Sequence, residues 1–115
     1  MRQMNQNKVR EWHNKGVALY NSGQHKKAFE AYNKAIRLNP KYAMSWYNKG
    51  TILEEWGQLK KALHAYEQAT KFDPKDVDAW YNKGNVLDDL GYYTKAIESY
   101  NKALELNQKK SCCMV

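Results

Sequence analysis

Cysteine is nearly missing from this chain of 115 residues: it has two, side by side at Cys112 and Cys113. Adjacent thiols at one end supply neither a disulfide framework nor the spaced ligand pairs of a zinc site, and a reducing compartment suits them. Proline occurs only at Pro40 and Pro74, which leaves long stretches free to be helical. No apolar run approaches the roughly 18 residues that a membrane span needs, and Met1 to Lys8 is polar and too short for a secretory signal. The expectation is a soluble, cytoplasmic protein.

Reactive constellations are lacking too. His13, His25 and His64 fall in separate segments with no cysteine or acidic residue at ligand spacing, so they read as surface histidines. The pairs Glu54-Glu55 and Asp88-Asp89 are neighbours in sequence, not an acid and a base across a cleft. No catalytic residue, metal ligand or cofactor is expected, and the chain does not read as an enzyme. Its formal charge of +7 favours acidic partners on average, but net charge does not say which face is basic.

What the chain does contain is a period. Trp12, Trp46 and Trp80 stand 34 residues apart and open the phrases WHNKG, WYNKG and WYNKG. The three copies, 9–42, 43–76 and 77–110, share Leu19, Leu53 and Leu87, then Gly23, Gly57 and Gly91, then a Lys-Ala pair, a tyrosine (32, 66, 100) and an alanine (35, 69, 103). Self-similarity at this spacing means one supersecondary unit stacked three times. Residues 1–8 are left as a polar tail and 111–115 as a short C-terminal one.

Within a copy, Trp12, Gly16 and Leu19 repeat at i, i+4, i+7, the apolar stripe of one helix, and Ala28, Tyr32 and Ala35 give a second. Helices are predicted over 9–21, 25–38, 43–55, 59–72, 77–89 and 93–107. Gly23, Gly57 and Gly91 fall between stripes, where a left-handed residue ends a helix and turns the chain, and Pro40 and Pro74 end second helices. Gly16, Gly50 and Gly84 lie inside helices at a cost of roughly 1 kcal/mol each against alanine. They predict a close approach of two helices, with Ala28, Ala62 and Ala96 as the facing contacts.

These residues at these offsets resemble the tetratricopeptide repeat, and the resemblance covers nearly the whole chain. The NKG phrase is similar to that of archaeal and bacterial arrays. The resemblance implies an all-α fold, a right-handed α-solenoid of three antiparallel helical hairpins, whose first helices line a concave groove that binds peptides or a partner helix. One use of the family, the clamp on a chaperone's C-terminal carboxylate, would ask for Lys, Asn, Asn, Lys and Arg where this chain has His13, Val17, Asn48, Asp78 and Asn82. A single match, with the charge reversed at Asp78, argues against that ligand.

At 100° per residue, the face opposite the Trp-Gly-Leu stripe carries Arg10, Asn14, Val17 and Asn21 in the first copy, Met44, Asn48, Thr51 and Glu55 in the second, and Asp78, Asn82, Asn85 and Asp89 in the third. His13, Tyr20, Tyr47, Glu54, Tyr81 and Asp88 flank it. Asn14, Asn48 and Asn82 form a ladder whose amides can pair with peptide backbone of any sequence. Glu54, Glu55, Asp78, Asp88 and Asp89 make this face acidic, which points to a basic or neutral protein or peptide. Lys26, Lys27, Lys34, Arg37, Lys60, Lys61, Lys71, Lys95 and Lys102 turn the second helices basic. Nucleic-acid binding through that outer surface ranks second, because the aromatics are committed to packing.

Two end features complete the reading. Ser111-Cys112-Cys113-Met114-Val115 superficially fits a lipidation box, but its final valine is disfavoured, so no membrane anchor is expected. Gln108 replaces the terminating proline, and Tyr93, Ile97, Tyr100 and Leu104 would face a missing fourth repeat, which points to a homo-oligomer or a docked partner through the uncapped last helix.

Overall fold

Gly23, Gly57 and Gly91 adopt φ of 85°, 76° and 86°, the left-handed region that an L side chain resists. Each closes the same C-terminal motif: Gly23 N–H donates to the Tyr20 carbonyl and Gln24 N–H to the Leu19 carbonyl, and the bonds recur at Gly57 and Gly91. The computed structural model describes residues 2–113, with the side chains of 6–108. Within it the chain forms six helices: α1 (Arg2–Asn21), α2 (His25–Leu38), α3 (Ala43–Glu55), α4 (Leu59–Phe72), α5 (Val77–Asp89) and α6 (Tyr93–Cys113). Consecutive helices pair as hairpins, and α2 packs on α3 as α4 packs on α5. The fold is an all-α solenoid of three hairpins.

Four of the six helices keep the limits expected from sequence, and the two outermost run longer. Helix α1 begins at Arg2, so most of the stretch assigned to a tail is helical: residues 2–8 hold no glycine or proline, and the buried Val9 anchors them. Helix α6 continues through residue 113 because Gln108 stands where Pro40 and Pro74 stop the earlier copies. The lipidation box at 111–115 lies outside the residues whose side chains are described.

Inside each hairpin the close approach is between a glycine and a tyrosine ring. A Cβ built on Gly50 would lie 2.8 Å from Tyr66 Cε1, and one on Gly16 would lie 2.6 Å from Tyr32 Cε1. Ala28, Ala62 and Ala96 are buried in the same layer, so the small residues make room for the tyrosines lying across them. Trp12, Trp46 and Trp80 are half-buried. Trp46 Nε1 donates to the Pro40 carbonyl at 2.7 Å and Trp80 Nε1 to the Pro74 carbonyl at 2.8 Å, which ties each repeat to the turn before it. The lysines of the NKG phrase lie over these indoles: Lys15 Nζ is 4.9 Å from the Trp12 ring, Lys49 5.1 Å from Trp46 and Lys83 4.9 Å from Trp80.

Candidate partner-binding face

The first helices α1, α3 and α5 lie side by side, and their polar positions meet the tyrosines rising from the layer below. Asn48 Nδ2 donates to the Tyr32 hydroxyl at 3.3 Å, and Asn82 Nδ2 donates to the Tyr47 hydroxyl at 2.8 Å. Tyr100 donates to Asn85 Oδ1 at 2.6 Å, and Tyr66 to Glu54 at 2.8 Å. A phenol cannot be buried cheaply without a partner, so one side of this face satisfies the core it covers. Burial holds the Tyr32, Tyr66 and Tyr100 phenols above their ordinary value, and at Tyr66 the contact with the Thr51 hydroxyl opposes the rise. Tyr47 is raised by burial first and then by Asp78 and Asp76.

Between α1 and α3 this arrangement leaves a concavity of about 230 Å³, lined by Val17, Tyr20, Asn21, Tyr32, Tyr47, Asn48 and Thr51. Val17, Asn21, Asn48 and Thr51 were expected on this face and Tyr20 and Tyr47 at its flank. Tyr32 was assigned wholly to the core, although its hydroxyl reaches the Asn48 amide at the floor. The signal was present: tyrosine, not phenylalanine, stands at 32, 66 and 100, and a hydroxyl there needs a polar neighbour.

His13 is not on the open face. It is 3 % exposed, its Nδ1 lies 2.8 Å from Ser45 Oγ, and its ring packs against Tyr32 and Tyr42. Helical angle alone put His13 beside the groove and made it a surface histidine; the neighbouring helix α3 covers it. Burial lowers its pKa, which favours the neutral ring.

The acidic residues divide into committed and free. Glu55 accepts from Tyr20 and lies 3.3 Å from His25 Nδ1, while Tyr20 and His25 stack with centroids 4.4 Å apart. That hydrogen bond, with burial and the carboxylate charge behind it, pushes the Tyr20 phenol up to about 12. Glu54 serves Tyr66. Asp88 and Asp89 are exposed at the end of α5, and Asp78 is exposed at its start. Arg10, Asn14, Met44 and Tyr81 are exposed as well, so the ladder begins with an uncovered amide at Asn14. The second-helix cations Lys26, Lys27, Lys60 and Lys61 are exposed, and Lys34 lies 4.3 Å from the Trp12 ring.

Models of the tetratricopeptide repeat match residues 9–42 and 77–110, and 31–64, and a TPR repeat model matches 55–91. A crystal structure of MamA superposes with a TM-score of 0.84 at 28% identity, covering 90% of this chain and 60% of MamA. A second MamA crystal structure gives 0.80 at 28% identity, covering 90% and 56%. This chain therefore spans less than two thirds of either. The second TPR of Spaghetti (RPAP3), bound to the HSP90 peptide SRMEEVD, superposes at 0.84 with 20% identity, over 90% of this chain and 98% of that one, a likeness of fold. No curated protein matches.

Proposed function

This chain belongs to the tetratricopeptide repeat family, a fold of protein–protein interaction, and we propose that it holds an extended peptide or a partner helix along α1, α3 and α5. The observation that carries this reading is the concavity of about 230 Å³ between α1 and α3, apolar at Val17 and the Tyr47 ring and edged by the Asn21 and Asn48 amides. A space of that size takes one apolar side chain, while neighbouring amides and Thr51 offer donors and acceptors to the ligand's backbone. Asp88, Asp89 and Asp78 then select a basic or neutral ligand by steering and by rejecting anions. Glu54 and Glu55, engaged with Tyr66 and with Tyr20 and His25, contribute field more than direct contact.

The SRMEEVD peptide held by the Spaghetti repeat carries acidic residues and a C-terminal carboxylate. Asp78 here would repel such a carboxylate, so this chain is proposed to refuse it. Selection from a random peptide library should enrich sequences bearing Lys or Arg beside one large apolar residue. Asp88→Lys with Asp89→Lys should weaken the enriched peptides about tenfold or more with unchanged helicity. Enrichment of acidic C-terminal peptides, or recovery of nucleic acid alone, overturns this reading.

A further inference from the structure

The two ends of the array are built differently. At the C-terminal end, Tyr93 is 64 % exposed, Ile97 58 % and Leu104 57 %, with Tyr81 of α5 beside them. In the two earlier copies the corresponding face is covered. Helix α3 closes the first hairpin with Ser45, Asn48 and Ile52, and α5 closes the second with Ala79, Asn82 and Val86. A second copy stacked head to tail would bring α1 to the open face, with Glu11, Asn14 and Ala18 at those positions. That helix fits poorly: it sets a carboxylate where Ser45 and Ala79 are fully buried, and a methyl where Ile52 and Val86 fill the core.

The outer stripe of α6, exposed at Tyr93, Ile97 and Leu104 and half-buried at Tyr100, has its own pattern. Tyr93, Ile97, Tyr100 and Leu104 follow each other at spacings of 4, 3 and 4, the alternation of a two-helix seam. Thr94 and Asn101 flank the stripe without charge, and Lys95 and Lys102 fall on the opposite side of the helix. We propose that the occupant is the same face of a second copy: α6 pairs antiparallel with α6 about a two-fold axis, and the two α5–α6 hairpins make a four-helix bundle. The axis passes between Ile97 and Tyr100, so Ile97 meets the other copy's Tyr100 and Tyr93 meets the other copy's Leu104. A groove of about 580 Å³ lies at this end, lined by Val77, Asp78, Tyr81, Ala103, Leu104 and Asn107. The other copy's Tyr93 ring enters it opposite Leu104.

An isologous pairing closes at two copies and leaves both concave faces open, so it stands independently of the peptide-binding reading. Each copy carries a formal charge of +7, so long-range repulsion opposes the dimer and added salt strengthens it. Sedimentation of the full chain in reducing buffer should give a mass rising with concentration from 13.5 kDa toward twice that value, and rising further at higher salt. Ile97→Glu should hold the mass at 13.5 kDa and keep the melting curve of the dilute, monomeric protein, because the residue touches solvent in the monomer. Tyr93→Lys and Leu104→Glu should each be monomeric alone and should pair when mixed. A mass fixed at 13.5 kDa up to the solubility limit overturns the proposal. So does growth beyond two copies that Asn14→Asp abolishes, the mark of end-to-end stacking, in which α1 and not a second α6 covers the Ile97 face.

Discussion

The joint between the first and second hairpins and the joint between the second and third occupy equivalent positions and hold by different means. In the first, His13 meets Ser45 in a buried polar contact, Asn48 bonds Tyr32, and Tyr20, His25 and Glu55 join across the groove edge. In the second, Tyr47 stands where His13 does and Ala79 where Ser45 does. The longer phenol passes the alanine and reaches Asn82, while Val86 enters a cluster with Leu53, Ala62, Ala65 and Tyr66 that Leu59, Leu63 and Leu90 extend. Residues at one joint therefore change as a set: a short imidazole goes with a serine, a long phenol with an alanine and a remote amide. One joint contains a buried imidazole whose pKa burial lowers, and the other is held chiefly by apolar burial.

The largest test of that contrast is the anchor side chain each helix sends backward. Ile52→Ala empties a fully buried site at the first joint and should lower stability by about 2–5 kcal/mol in urea unfolding. Val86→Ala, at the second, removes about two carbons where Ile52→Ala removes about three, and should cost less; the reverse order would mean that polar bonds, not Ile52, hold the first joint.

A smaller effect should follow pH. His13 has a folded pKa below its ordinary value near 6.5, so the unfolded chain binds the proton first. Its contribution is fully present above that value and is lost as pH falls through the lowered folded one. The melting temperature should decline on acidification below about pH 6.5, and His13→Tyr, which installs the residue of the other joint, should flatten that decline. An unchanged slope in this variant would assign the acid sensitivity elsewhere. The smallest effect belongs to Glu55→Gln. Glu55 and His25 are 38 % and 37 % exposed, so losing the pair should cost no more than about 1 kcal/mol, and less in high salt.

The internal limits of the helices were legible because the chain writes its stops explicitly: glycine at 23, 57 and 91 and proline at 40 and 74. The outer limits were not, since nothing at residues 2–8 or at Gln108 forbids another turn. The face of the first helices was legible from angle alone for Asn48, Thr51 and Asn82, which do lie among its polar contacts. Angle failed at His13, because whether a flanking position is open depends on the next helix, and no single helix encodes its neighbour. It was also silent on the partners of Glu54 and Glu55. Tyr66 is 12 residues from Glu54, and Tyr20 is 35 from Glu55, so only the folded hairpins bring them together.

The indole bonds of Trp46 and Trp80 make each turn between repeats observable by itself. Their N–H protons are held by the Pro40 and Pro74 carbonyls, whereas the Trp56 ring sits by Phe29 at a centroid distance of 5.1 Å. When two repeats part, the bond across that turn opens and its proton exchanges with solvent even while the hairpins on either side stay folded. Two resolved indole resonances thus become separate clocks for the two turns, and they tell bending of the array from its unfolding.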